Sequence, residues 1–140
     1  MKLLITTPTT IVVDEPDASA VRAEDESGSF GILDGHDDFL TALTVSVVSW
    51  HSADSPPRYC AVRRGILSVA GGREVAIATR EAIVGDDLDR LEQVVLADFL
   101  QKADSERAAR MTALELQMKA IRQIVRYLRP ERRGAREGSA

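Results

Sequence analysis

The chain has 140 residues and a net charge of −4, enough for one ordinary domain or a small domain with an appendage. Its one cysteine, Cys60, excludes an intramolecular disulfide and fits a reducing compartment. The apolar start at residues 1–5 is too short for a signal peptide, and no run reaches the roughly 20 apolar residues of a membrane-spanning helix. We therefore expect a soluble, cytoplasmic protein that reaches a membrane only through another protein.

The charge is unevenly distributed along the chain. Residues 1–100 hold 8 basic and 17 acidic side chains, whereas residues 101–140 hold 10 basic and 5 acidic ones. Such asymmetry indicates a partner that contacts the basic end, either nucleic acid or an acidic protein surface. The acidic chain as a whole, its 4% aromatic content and the lack of a recognition module disfavour nucleic acid. An acidic protein groove is the better candidate.

The first 84 residues predict an antiparallel β-sandwich or flattened barrel. Short runs rich in Val, Ile and Thr alternate with turn residues at close intervals, which is typical of these architectures. The predicted strands cover residues 3–7, 10–13, 19–24, 29–33, 44–51, 58–63, 66–70 and 74–79. Gly71 and Gly72 tolerate positive φ, so they predict a two-residue hairpin loop before the last strand.

After Gly85 the period becomes helical, and residues 86–129 predict a two-helix hairpin. A first stripe is formed by Leu88, Leu91, Val95 and Phe99, and a second, near-heptad seam by Ala108, Met111, Leu114, Met118, Ile121, Val125 and Leu128. The short segment around Lys102–Asp104 allows either a tight reversal or a continuous rod, and two stripes joined by a short loop favour the hairpin. Pro130 and Gly134 end the second helix, which leaves residues 130–140 as a disordered basic tail.

Few residues suggest chemistry. The cluster His36-Asp37-Asp38 could serve a metal-dependent hydrolase, but three consecutive side chains diverge and no further His or Cys is close in sequence, so a polar loop is favoured. The glycines between residues 28 and 35 lack the Lys-Ser/Thr ending of a phosphate loop. Cys60 lies in a predicted strand, as a structural thiol would. We expect no catalytic residue, no metal and no cofactor.

The second helix carries a basic row beside its apolar seam. Arg122, Arg126, Arg129 and Arg133 repeat at spacings of 4, 3 and 4, so a continuous helix aligns them. This row is either a solvated face or a contact for an acidic partner. The seam around Met111, Leu114 and Met118 is either the core of the hairpin or a docking face once the hairpin opens.

The stretch Gly28-Ser29-Phe30-Gly31-Ile32-Leu33-Asp34-Gly35-His36 followed by Phe39-Leu40-Thr41-Ala42-Leu43 resembles the pattern of F-type ATP synthase epsilon subunits. A second block, Gly65-Ile66-Leu67-Ser68-Val69, resembles a hairpin of the same family, and Asp87-Leu88-Asp89 lies where the family passes into its helices. Asp34 replaces the usual proline, Asp37-Asp38 replaces Ala-Pro, and Arg63-Arg64 replaces small residues. These departures resemble a divergent branch, such as the sodium-type F-ATPases.

The resemblance implies a non-catalytic subunit of the central stalk that couples the gamma subunit to the c-ring. The implied c-ring contacts are Ser29, Phe30, Ile32, Leu33, Asp34, Gly35 and His36. The helices would inhibit ATP hydrolysis by contacting the alpha and beta subunits, through Met111, Leu114, Met118, Arg122, Arg126 and Arg129. Glu92-Gln93 replaces the Arg-Ala of ATP-binding members, and a carboxylate there repels phosphate, so no ATP site is expected.

Such a subunit would lie at the cytoplasmic face of the bacterial inner membrane as a peripheral protein. The alternative from the residues alone is a scaffold with a β-sandwich and a coiled-coil hairpin that has no connection with ATP synthase.

Overall fold

The computed structural model describes the backbone of residues 1–138 and the side chains of residues 1–128. The strands are β1 (Lys2–Thr6), β2 (Ile11–Glu15), β3 (Ala20–Asp25), β4 (Gly28–Leu33), β5 (Phe39–His51), β6 (Arg58–Ala70), β7 (Glu74–Ala78) and β8 (Ala82–Gly85). The helical segment consists of α1 (Leu88–Arg90), a π-helical turn (Leu91–Val95) and α2 (Leu96–Gly138). The predicted class, a β-sandwich followed by helix, is confirmed.

The sheet is built around two long strands. The strands pair in the order β2-β1-β7-β6-β5-β3-β4, and β8 pairs with β6 outside this path. One half of β6, Tyr59–Val62, pairs with β8, and the other half, Ile66–Ala70, pairs with β7. Because β6 changes neighbours along its length, a single strand serves both layers of the sandwich.

β6 departs from regular strand geometry where it changes neighbours. Arg64 and Gly65 have φ values of 64° and 146°, which is the region that favours glycine. A Cβ on Gly65 would lie 2.3 Å from the carbonyl oxygen of Ala78, so no larger residue fits without a shift of backbone. The sequence interpretation placed a strand on either side of Gly65, and the structure joins them into one strand that keeps the same register with β5 before and after this point.

One strand pair differs from the predicted antiparallel arrangement. β1 runs parallel to β7, with Leu3 opposite Val75 and Ile5 opposite Ile77. These strands come from opposite ends of the sandwich sequence, so no hairpin forces them to be antiparallel. The other pairs, including the unpredicted strand β8 with β6, are antiparallel.

The core is formed by every second side chain along the strands, since these side chains point to the same face of the sheet. Leu3, Val75 and Val69 form one cross-strand row, and Ile5, Ile77 and Leu67 form a second; all six side chains are buried. Trp50 and Val48 are buried in the same core cluster. Burying an aliphatic side chain of this size contributes about 1.5–3 kcal/mol, so these rows stabilise the pairing of the three strands.

The glycine turn after β6 has three residues rather than two. Gly71 and Gly72 both have positive φ, 63° and 68°, as predicted. Ala70 pairs with Glu74, so Arg73 completes the loop, and its carbonyl accepts a hydrogen bond from the Lys2 amide at 2.7 Å. The turn therefore connects β6 to β7 and also holds the start of β1.

The helical segment starts on the sandwich. The Asp87 carboxylate caps it by accepting from the Arg90 amide, a bond of 3.4 Å. Leu91 and Phe99 are buried against Ala61 of β6, and Val95 and Leu96 pack beside them. This second apolar cluster, which we call the helix anchor, confirms Leu91, Val95 and Phe99 of the predicted stripe as a face packed on the sheet, whereas Leu88, the first residue of the stripe, lies outside the cluster.

The predicted helical hairpin is wrong: α2 continues from Leu96 to Gly138 without a reversal at residues 102–104. That segment, Lys102-Ala103-Asp104-Ser105, contains neither glycine nor proline, and a continuing helix satisfies every backbone donor there. The helical backbone also passes Pro130 and takes in residues 130–138 of the predicted disordered tail; residues 139 and 140 lie outside the described residues. The chain divides into two compact units, Met1–Lys102 and Ala103–Ala140.

Candidate interaction surfaces

Two loops form one tip of the sandwich unit. The loop between β4 and β5 contacts the turn between β6 and β7, since the Gly35 amide donates to the Gly72 carbonyl at 2.8 Å. In return, the Gly71 amide donates to the Asp38 carboxylate at 2.9 Å. The two loops touch closely, because a Cβ on Gly72 would lie 2.9 Å from the Cα of Gly35. We call residues 33–40 with 71–72 the tip.

The tip combines aromatic packing with exposed apolar side chains. The rings of Phe30 and His36 both contact that of Phe39 edge-on, with centroid distances of 5.6 and 5.8 Å. Leu33 and Leu40 are 64% and 70% exposed. Large apolar side chains held outward on a hydrogen-bonded loop form a surface suited to another protein.

The predicted c-ring contacts differ in accessibility. Ser29, Leu33, Asp34 and Gly35 are exposed, Phe30 and His36 are half-buried, and Ile32 is fully buried in the core. The structure thus brings six of the seven to the surface at or beside the tip, while the side chain of Ile32 supports β4 from inside.

The cluster of His36, Asp37 and Asp38 acts within the loop. The Nδ1–H group of His36 donates to the Asp37 carbonyl at 2.7 Å, and the Asp38 carboxylate accepts from Gly71. Within the described part of the chain, no group of three or more His, Cys, Asp or Glu side chains is placed to hold a metal ion. The residues that suggested a metal site instead shape the tip.

A second surface, missed from the sequence, is the outer apolar face of the first sheet layer. Cross-strand partners place eight uncharged side chains there: Leu4 and Thr6 of β1, Ala76 and Ala78 of β7, Ile66 and Ser68 of β6, and Leu40 and Ala42 of β5. Ile66, at its centre, is 49% exposed. The strand alternation could have indicated this face, because most of its outward positions are small or aliphatic, with the charged Lys2, Asp14 and Glu74 at its margin.

The second unit exposes its apolar side chains. The predicted seam residues Met111, Leu114 and Met118 are 45–55% exposed. A second stripe, which the sequence interpretation missed, is formed by Leu116, Ile124 and Tyr127, which are 60–84% exposed. At 100° per residue the two stripes together cover well over half of the helix circumference.

A basic ridge occupies the remaining sector of this helix. Lys119, Arg122 and Arg126 fall within roughly 60° of one another on the helical wheel, and all three are exposed. Arg129, the last predicted contact, follows the last residue whose side chain the structure describes. A helix with two apolar stripes and one basic ridge needs an apolar partner with acidic groups nearby.

A sandwich with exposed apolar side chains and a helix with exposed apolar stripes are typical of a subunit that works by contacting other chains. A family model described as ATP synthase, Delta/Epsilon chain, beta-sandwich domain matches residues 1–85. The chain is 44% identical to ATP synthase epsilon chain 2 of Paraburkholderia xenovorans, over 94% of this chain and 95% of the relative. It is 39% identical to ATP synthase epsilon chain 2 of Cereibacter sphaeroides, over 91% and 88% of the two chains.

A solved structure has the same fold. It is a chain in the Euglena gracilis mitochondrial ATP synthase, OSCP/F1/c-ring, with a TM-score of 0.57 and 19% identity, covering 76% of this chain and 62% of the other. The protein belongs to the ATP synthase delta/epsilon family, as the resemblance of residues 28–43 predicted. This membership excludes the alternative of a scaffold unrelated to ATP synthase.

Proposed function

We propose that the chain is a non-catalytic rotor subunit of an F-type ATP synthase, in which the sandwich couples the gamma subunit to the c-ring. The observation that carries the proposal is the pair of surfaces with outward apolar side chains, Leu33 at the tip and Ile66 on the outer apolar face, on one compact unit of a family member. The outer apolar face around Ile66 fits an extended contact with gamma. The tip, with Leu33 and Leu40 exposed, fits the polar loops of the c-ring.

The second unit supports a regulatory role for the helix. Its stripes and its basic ridge suit contacts with gamma and with acidic surfaces of the alpha and beta subunits, where the helix would block ATP hydrolysis. None of the described helices is long and apolar enough to cross a membrane. The proposed location is therefore the cytoplasmic face of the bacterial inner membrane, reached through the other subunits.

Two matched substitutions test which surface meets which partner. Ile66→Asp places a charge at the centre of the outer apolar face, and Leu33→Asp places one at the tip; the two side chains are 49% and 64% exposed, so the fold tolerates both changes. The first variant is expected to lose gamma in a co-purification assay and the second to lose the c-ring while keeping gamma. Each serves as the control for the other. Retention of gamma by Ile66→Asp would contradict the assignment of the face.

Deleting residues 104–140 tests the regulatory role separately. We expect the shortened chain to assemble with gamma and the reconstituted enzyme to hydrolyse ATP faster than with the intact chain. Equal hydrolysis rates for the two assemblies would show that this helix does not inhibit.

A further inference from the structure

We propose that Glu81 and Lys102 form an ionic clasp that fixes the end of the anchored part of α2. Glu81 lies in the loop between β7 and β8, and Lys102 is the last residue of the sandwich unit. The Lys102 ammonium donates to both carboxylate oxygens of Glu81, with distances of 3.1 and 3.2 Å.

The sheet holds the Glu81 side of the clasp in place. Arg63 of β6 lies with its Nε 3.2 Å from the Glu81 carboxylate, and its amide donates to the Glu81 carbonyl at 3.0 Å. The Thr79 hydroxyl, which donates to the nearer carbonyl of Arg64, also lies 3.2 Å from the Glu81 carbonyl. Because these bonds fix the loop, little conformational entropy is left to lose when Lys102 binds.

The helix holds the other side. Lys102 contacts Asp98 one turn earlier, at 3.2 Å, and its Nζ lies 6.0 Å from the ring centroid of Phe99. Phe99 itself is fully buried in the helix anchor. Hydrogen bonds to Glu81 and then Asp98 raise the pKa of Lys102, so the ammonium stays charged throughout the physiological range.

The two kinds of contact respond differently to conditions. The apolar anchor of Leu91 and Phe99 is buried and insensitive to salt, whereas Lys102 is 45% and Glu81 32% exposed at the side chain. Ion pairs at this exposure are screened by salt and compete with other charges. The anchored helix therefore has a permanent apolar start and a releasable ionic end. If the proposed regulation by the helix holds, the clasp sets the fixed point from which the regulatory part begins.

Hydrogen exchange on the isolated full-length chain tests the clasp without any need for the ATP synthase. In Glu81→Gln and in Lys102→Gln, the amides of residues 99–103 are expected to exchange about threefold to fivefold faster than in the unchanged chain at low salt. The double variant should match the single ones, because both remove the same interaction. In about 1 M salt, where charges are screened beyond roughly 3 Å, the differences should disappear.

Glu92→Gln is the matched control, since Glu92 is an exposed carboxylate of the same helical segment that lies outside the clasp. It should leave exchange at residues 99–103 unchanged. If Glu81→Gln also speeds exchange in β6 and β7, the substitution has destabilised the sandwich itself. The test of the clasp is then the exchange at residues 99–103 in Lys102→Gln. Unchanged exchange in Lys102→Gln, or additive effects in the double variant, would overturn the clasp.

Discussion

The two units of the chain differ in how far their apolar side chains are exposed. In the sandwich unit, residues such as Ile5, Ile77 and Trp50 are at most 2% exposed. In the helix beyond Lys102, every large apolar side chain from Met111 to Leu128 is at least 44% exposed. The first unit has a buried core and exposes apolar side chains only at places such as Leu33, Leu40 and Ile66, whereas the second leaves all the large apolar side chains from Met111 to Leu128 exposed. The chain thus combines a domain that has its own core with a helix whose stability depends on the partner it contacts.

Thiol labelling should show the largest difference between the units. Burial raises the pKa of the Cys60 thiol to about 12. Near pH 8 the reactive thiolate is then about a thousandfold scarcer than for a thiol of ordinary pKa, and access is blocked as well. A cysteine placed in the helix by Met118→Cys, 45% exposed at the native residue, should react at an ordinary rate.

Maleimide labelling followed by mass spectrometry measures both rates, with Cys60 reacting only as the sandwich unfolds or as pH approaches its pKa. Equal rates for the two thiols in the folded protein would contradict the burial of β6.

Two matched Ile→Ala substitutions compare the units by the free energy of unfolding. Ile77→Ala removes a buried side chain from the core rows and should lower the free energy of unfolding by about 3 kcal/mol. Ile121→Ala removes the same atoms from a side chain that is 54% exposed, and should change it by less than about 0.5 kcal/mol. Denaturant titration followed by tryptophan fluorescence reports on both, because Trp50 lies in the sandwich core. Similar losses for both variants would mean that the helix is packed in solution.

The positive φ of Gly65 in β6 should account for a smaller effect. Gly65→Ala forces a side chain into a φ of 146° and against the Ala78 carbonyl, and is expected to cost about 2 kcal/mol. Gly31→Ala is its control, since a Cβ there meets nothing within 4 Å. Thermal unfolding of the two variants compares them directly. A fully stable Gly65→Ala protein would show that the backbone of β6 can relax at this position.

The sequence predicted most of the sandwich because alternation is a local property. Leu3 and Ile5, or Val75 and Ile77, can be assigned to one face from spacing alone. Strand pairing joins residues that are far apart in the sequence, so the parallel pairing of β1 with β7 could not be predicted from the spacing of apolar residues. The four residues of β8 are too few to show a period, and Gly65 looks like the end of a strand although it lies within one.

The surfaces were harder to predict than the fold. The resemblance of residues 28–43 directed attention to the tip, which contains four of the seven named residues, Leu33, Asp34, Gly35 and His36. The outer apolar face was overlooked because its small residues, such as Ala42 and Ala78, are ordinary in any strand. In the helix, the sequence analysis considered only the seam that contains Met111 and therefore missed the stripe of Leu116, Ile124 and Tyr127. The hairpin was inferred from two apolar stripes, yet no residue between them breaks a helix.

The most direct measurement of the account is the affinity of the gamma subunit for a chain that ends at Ala103. If the sandwich unit holds the docking surfaces and the helix is an attachment that depends on its partner, the shortened and intact chains should bind gamma with Kd values within about threefold of each other, a difference of roughly 0.7 kcal/mol. A loss of binding by a hundredfold or more, with the shortened chain still folded, would show that the helix carries the contact and would contradict the account.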